Sequence, residues 1–133
     1  MFLLTMIYHY VILFSVADGM TSYSMRQGDT RGSDLLLYDF RYDGVIENEY
    51  LSGGLGQLTD MEEGISNFRL DQDGTGKKGY EWVGWKNDSV HPGPVEITFN
   101  FEEIRNFSFV MVHCNNMFSK GIRVFRHAKL YFR

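Results

Sequence analysis

The sequence has little sulfur chemistry, little proline and no excess of positive charge. Its one cysteine, Cys114, excludes an internal disulfide and any zinc site built from several thiolates. With two prolines in 133 residues, the turns fall to the 14 glycines. Lys and Arg number 13 against 17 Asp and Glu, a net charge of −4. That balance argues against a nucleic-acid surface, and no nucleic-acid partner is expected. The four histidines show no HExxH spacing, and Gly53-Gly54-Leu55-Gly56 lacks the Lys-Ser/Thr of a phosphate loop. No apolar run reaches the roughly 20 residues of a membrane-spanning helix. What the chain does have is aromatic mass, 16% Phe, Tyr and Trp, too much for a disordered polymer and suited to one globular domain.

The longest apolar run covers residues 2–15 and carries no formal charge. Its length fits the apolar region of a secretory signal peptide, and Ser15-Val16-Ala17 supplies the small residues of a cleavage site. Against that stand His9 within the run and the lack of any Lys or Arg before it. Three readings of residues 1–17 stay open: a signal peptide, a buried strand, or a segment from a truncated gene model.

Period-two alternation dominates the second half. Val95, Ile97, Phe99 and Phe101 alternate with Glu96, Thr98 and Asn100, which predicts a half-buried strand. Phe107, Phe109 and Met111, with Val110 and Val112 opposite, predict a strand buried on both faces. Further strands are expected at Ile122–Phe125, Leu130–Phe132, Leu35–Leu37 and Tyr80–Trp85. Glycine-rich connectors separate them, which is the signature of an all-β antiparallel sandwich or jelly roll. One helical turn is expected at Asp60–Ile65, capped by Thr59 or Asp60.

Few residues suggest chemistry. His113 and Cys114 are adjacent, but neighbours on a strand point to opposite faces, so the thiol gains no base and reads as a small buried hydrophobe. No enzyme activity is expected. Asp71-Gln72-Asp73-Gly74-Thr75-Gly76 begins like a calcium loop, yet its twelfth position is Trp82 where a Glu is needed. It reads as a polar hairpin turn. Asn87-Asp88-Ser89 and Asn106-Phe107-Ser108 are N-glycosylation sequons. Asn87 is the better acceptor on an expected exposed loop; Asn106 abuts the strand expected from Phe107.

Five blocks in order carry a resemblance: Tyr42-Asp43-Gly44; Gly53-Gly54-Leu55-Gly56-Gln57-Leu58-Thr59-Asp60; Gly79-Tyr80-Glu81-Trp82-Val83-Gly84-Trp85; Phe99–Phe107; and Val112-His113-Cys114-Asn115-Asn116-Met117-Phe118. Together they resemble the discoidin domain receptors, the collagen-responsive receptor tyrosine kinases. The likeness is to their second ectodomain module, a discoidin-like jelly roll, and covers residues 18–133. It implies a non-catalytic extracellular module, at the plasma membrane or secreted, that supports collagen-dependent signalling. Collagen would be read by an amino-terminal discoidin domain. The kinase, the transmembrane segment and that discoidin domain lie outside this sequence, and the family's module continues past Arg133. A receptor dimer is a further implication. The alternative reading is a secreted discoidin-type protein that binds carbohydrate or lipid.

The same resemblance implies a structural calcium ion. Gln57, Asp60, Glu62, Tyr80 and Trp82 fall at its ligand positions, several through main-chain carbonyls, and calcium accepts such mixed oxygen sets. The family's first ligand, an asparagine, is replaced by Tyr38, which leaves either a lost bond or recruitment of Asp39. Near Leu130 the family places a disulfide cysteine, so that bridge is absent from this sequence.

Overall fold

The computed structural model describes residues 2–6, 10–14, 19–31, 35–64, 81–86, 90–107, 110–116, 119 and 121–133. The strands are β1 (Phe2–Met6), β2 (Tyr10–Phe14), β3 (Met20–Arg26), β4 (Thr30–Arg31), β5 (Leu35–Leu36), β6 (Val45–Glu47), β7 (Tyr50–Gly54), β8 (Val83–Trp85), β9 (Val95–Phe101), β10 (Val112–Cys114) and β11 (Ala128–Phe132). A 3-10 turn spans Gln57–Thr59. The larger sheet runs β11-β1-β9-β3-β7-β6, the smaller β10-β2-β8, and β4 pairs with β5 alone. Every pairing is antiparallel, so the expected all-β discoidin-like sandwich is the fold found. The apolar segment at residues 2–15 supplies one strand to each of the two main sheets.

The core follows the pleat. On β9, Val95, Ile97 and Phe99 are buried while Glu96 is exposed, as the alternation requires. β3 sets Tyr23 opposite Phe99 and Met25 opposite Ile97, so one inner face carries all four side chains. Leu51 of β7 stands across from Met25 on the other side. Val83 and Trp85 of β8 bring the second sheet to the same cluster, joined by Tyr42 and Leu58 from the connections. The Tyr23 ring lies 5.2 Å from Tyr42 and 6.0 Å from Phe99, both tilted, an arrangement that favours aromatic pairs. Trp85 Nε1 donates to the Arg26 carbonyl at 2.9 Å, tying β8 to the end of β3.

Three expectations are corrected. The segment around Phe107 is not a doubly buried strand. Val110 is 36% and Met111 60% exposed, and the strand begins at Val112. Phe107 instead packs from a loop onto Phe101 and Phe132, ring centroids 5.0 and 5.9 Å away. The apolar alternation from Phe107 to Val112 is the feature that suggests a strand there. Ile122–Phe125 is also not a strand. Only Ile122 is buried, Val124 is 41% exposed, and residues 122–125 lie outside the sheets. Finally, the helical turn comes earlier, at Gln57–Thr59, and Asp60 closes it at the C-terminal end. Asp60 Oδ1 accepts the Glu62 N–H at 3.0 Å, and this local bond turns the chain away from a helix. The polar turn expected at 71–76 lies outside the described residues.

The β6–β7 hairpin closes on Asn48 (φ 50°) and Glu49 (φ 62°), with Glu47 opposite Tyr50. Two left-handed residues in a two-residue loop suit the right-handed strand twist, although Glu is an unusual choice there.

Ile97 sits fully buried between β3 and β1, whereas Ile104 stands fully in solvent. In urea unfolding, Ile97→Ala is expected to lower stability by about 2–5 kcal/mol. Ile104→Ser is expected to stay within about 0.5 kcal/mol of the parent.

Candidate functional site

Among the described residues, a dense polar construction forms around Asp39, which is 2% exposed. Gln27, just past the end of β3, holds its main chain. Gln27 Oε1 accepts the Asp39 N–H at 2.8 Å, and Gln27 Nε2 donates to the Asp39 carbonyl at 3.4 Å. The Asp39 carboxylate accepts the Gln57 N–H at 3.0 Å through Oδ1 and the Tyr23 hydroxyl through Oδ2. Main-chain N–H groups of Arg41 and Tyr42 also donate to it. Burial nevertheless wins. It holds the Asp39 carboxyl above the usual range, the donated hydrogen bonds only partly offsetting it. The Tyr23 phenol is pushed far up by burial and by the Asp39 charge, so Tyr23 acts as a donor at any ordinary pH.

Gln57 is equally enclosed, at 1% exposure, and its Oε1 accepts the Phe40 N–H. Gly56 makes this closeness feasible. A Cβ there would lie 2.5 Å from Asp39 Oδ1 and 2.7 Å from the Tyr23 hydroxyl. The Gly-Gly-Leu-Gly connector therefore ends in a contact rather than in a mere bend.

Asp60 and Glu62 flank Met61, whose φ of 67° turns the chain through the left-handed region. The Asp60 carboxyl is raised, first by burial, then by the charges of Glu62 and Asp39, with Arg41 opposing. Arg41 reaches across both acids. Its guanidinium stands 3.6 Å from Asp60 Oδ2 and 3.3 Å from Glu62 Oε2. One residue thus meets three carboxylates, Asp39 with its main chain and the other two with its side chain.

The structure brings Asp39, Gln57, Asp60 and Glu62 of the implied calcium set into one neighbourhood. Trp82 is buried, its indole stacked on His113 with centroids 5.1 Å apart and 17° between planes. Gly64 abuts that indole, and His113 Nε2 lies 3.3 Å from the Gly64 carbonyl. Tyr38 goes elsewhere. Its ring lies 5.7 Å from that of Phe40, and it lines a cleft of about 480 Å³ with Gln27, Asp29, Glu49 and His91. Tyr80 lies outside the described residues. Among the described residues, no three His, Cys, Asp or Glu side chains are placed to hold a metal by themselves. The donors gathered are all oxygens, with Glu62 and Asp39 both raising the Asp60 carboxyl, and this chemistry fits a hard divalent cation supplemented by amide and carbonyl ligands.

Sequence reasoning missed Tyr23, Gln27 and Arg41. The role of Tyr23 depends on a partner 16 positions away. Asn106 is exposed in the loop after β9, since no strand starts at Phe107; Asn87 lies outside the described residues. Burial pushes the Cys114 thiol up to about 11, so at neutral pH it is protonated and a poor nucleophile.

The family profile described as "Discoidin domain-containing receptor 1/2, DS-like domain" matches residues 19–133. The chain belongs to this family. Epithelial discoidin domain-containing receptor 1 of Rattus norvegicus and that of Homo sapiens are each 40% identical to it over 109 residues, 80% of this chain and 12% of theirs. Discoidin domain-containing receptor tyrosine kinase B of Caenorhabditis elegans is 34% identical over 116 residues, 86% of this chain and 13% of that protein. The chain therefore spans a small part of these relatives, and the match falls on their non-catalytic discoidin-like domain. No solved structure gives a significant match. Among the described residues no helix is long and apolar enough to cross a membrane.

Asp39 supplies the prediction. Asp39→Ala leaves the Gln57 N–H and the Tyr23 hydroxyl buried without an acceptor, at an expected cost of about 2–5 kcal/mol in urea unfolding. Asp39→Asn separates charge from shape. Because the folded state binds the Asp39 proton more tightly than the unfolded state, stability from this group rises as pH falls through its raised folded value and levels off below its unfolded value. The stability difference between parent and Asp39→Asn is therefore expected to move in favour of the parent on acidification, and a pH-independent difference would contradict the assignment.

Proposed function

We propose that this chain is an extracellular, non-catalytic module of a collagen-activated receptor tyrosine kinase, and that it supports signalling by holding and spacing a collagen-reading domain. The observation that carries the reading is the match over residues 19–133 to the discoidin-like domain of such receptors, on a sandwich of the expected class. The tight clustering of polar residues around Asp39 suits a rigid spacer. Cys114, protonated at neutral pH, is a poor nucleophile, in keeping with a non-catalytic module. The exposed Asn106 suits a glycosylated extracellular surface.

The test has two arms. The purified chain is expected to show no saturable binding to triple-helical collagen in a solid-phase assay. A human receptor chimera carrying residues 19–133 in place of its own corresponding stretch is expected to reach the cell surface and gain tyrosine phosphorylation on collagen. Collagen binding by the isolated chain, or a surface chimera silent to collagen, would overturn the reading.

The module is further proposed to bind calcium structurally. Asp60 would serve as the principal charged ligand, Gln57 and main-chain carbonyls would complete the set, and Asp39 would stand in for the family's asparagine. The ion would supply positive charge that draws the acidic turn onto the 39–42 segment. A ligand of the folded state alone adds about 2.7 kcal/mol at a hundredfold excess over its dissociation constant. Millimolar calcium is accordingly expected to raise the melting temperature relative to chelator, and Asp60→Asn to blunt that rise. Coincident melting curves for the parent chain would exclude the ion.

A further inference from the structure

Arg41 already does part of what a bound cation would do. Its guanidinium lies within 3.6 Å of Asp60 and 3.3 Å of Glu62, two of the carried-over calcium positions. Its main-chain N–H donates to Asp39, the third acid of the neighbourhood. The arginine side chain is 39% and the Glu62 side chain 54% exposed, so the pairing is a solvated, reversible one that contributes little to stability by itself. Its effect on a third charge is larger. A fixed positive charge beside Asp60 repels a divalent ion seeking the same carboxylate, and that repulsion acts over the few ångströms involved even in a high dielectric.

We infer that Arg41 is a tethered competitor for the cation position, resting on Asp60 and Glu62 when calcium is scarce and yielding them when calcium binds. The inference rests on the calcium reading above and adds to it the group that sets the affinity. Arg41 partly offsets the charge of the acidic turn when the ion is absent. It also moves the calcium requirement to higher concentration.

The test uses the full chain with calcium chloride, by titration calorimetry and by thermal melts in calcium and in chelator. Arg41→Gln removes the charge and keeps a polar side chain of similar reach. It is expected to bind calcium about three- to tenfold more tightly than the parent. It should also melt lower than the parent in chelator and at or above it in calcium. Arg41→Lys, which keeps the charge, should bind calcium like the parent. A merely structural ion pair would predict the Gln variant to melt lower in both conditions with calcium affinity unchanged. That result, with the parent binding calcium, overturns the inference and leaves the calcium reading standing. If neither parent nor Arg41→Gln binds calcium, both fall together.

Discussion

The structure depends on keeping a carboxylate in the interior. Asp39 lies where desolvation opposes its charge, and it stays there because donors reach it from three directions: the Tyr23 hydroxyl from β3, the Gln57 N–H from the 3-10 turn, and the N–H groups of its own following turn. Each donor comes from a different stretch of chain. Satisfying one acid therefore fixes where β3, the 37–42 segment and the 55–60 connector stand relative to each other. Hydrophobic burial of Ile97, Phe99 and Leu51 supplies the greater driving force, but it is non-directional and would tolerate small shifts. The hydrogen-bonded acid does not, since a loss of geometry leaves buried polar groups unmet.

Around that fixed point the charge becomes progressively more exposed. Asp39 is enclosed, Asp60 half-buried and Glu62 largely in water. Arg41 spans the gradient by offering its backbone to the interior and its guanidinium to the surface. Tyr42, the next residue, continues inward, its hydroxyl donating to the Tyr23 carbonyl at 2.5 Å and accepting the Gly54 N–H at 2.9 Å. Residues 39–42 thus connect the core, strands β3 and β7 of the larger sheet and an acidic surface turn.

Much of the fold was legible in the sequence where one strand face is buried and the other wet. β9 shows this best, since Glu96, Thr98 and Asn100 mark the outer face unmistakably. Legibility failed where apolar residues are numerous outside the sheets. Met111 and Val124 look like core and stand in solvent, because hydrogen-bonding neighbours, not hydrophobicity, decide whether an extended segment joins a sheet. The polar site was legible only in part. Asp60, Gln57 and Glu62 were reached through resemblance, whereas Gln27 and Tyr23 carry no local signal. Gln27 clamps a residue 12 positions away, and Tyr23 also receives the Leu58 N–H, 35 positions away. Contacts of that separation are set by topology, which period and propensity do not encode.

The pairing pattern of the larger sheet also governs the order in which the chain can assemble. β6 and β7 meet across a two-residue turn and can form as soon as they are made. The central pair cannot. β3 meets β9 through contacts such as Asn100 to Ser22, separated by 78 positions, and β1 waits between β9 and β11 for two of the last strands synthesised. Loop closure over such spans must precede any gain from the contacts, so folding is expected to be slow and late. Until β9 arrives, the nascent chain carries β1 as an unpaired apolar strand, which makes the interval between synthesis and closure the time of greatest exposure to chaperones and to misassembly.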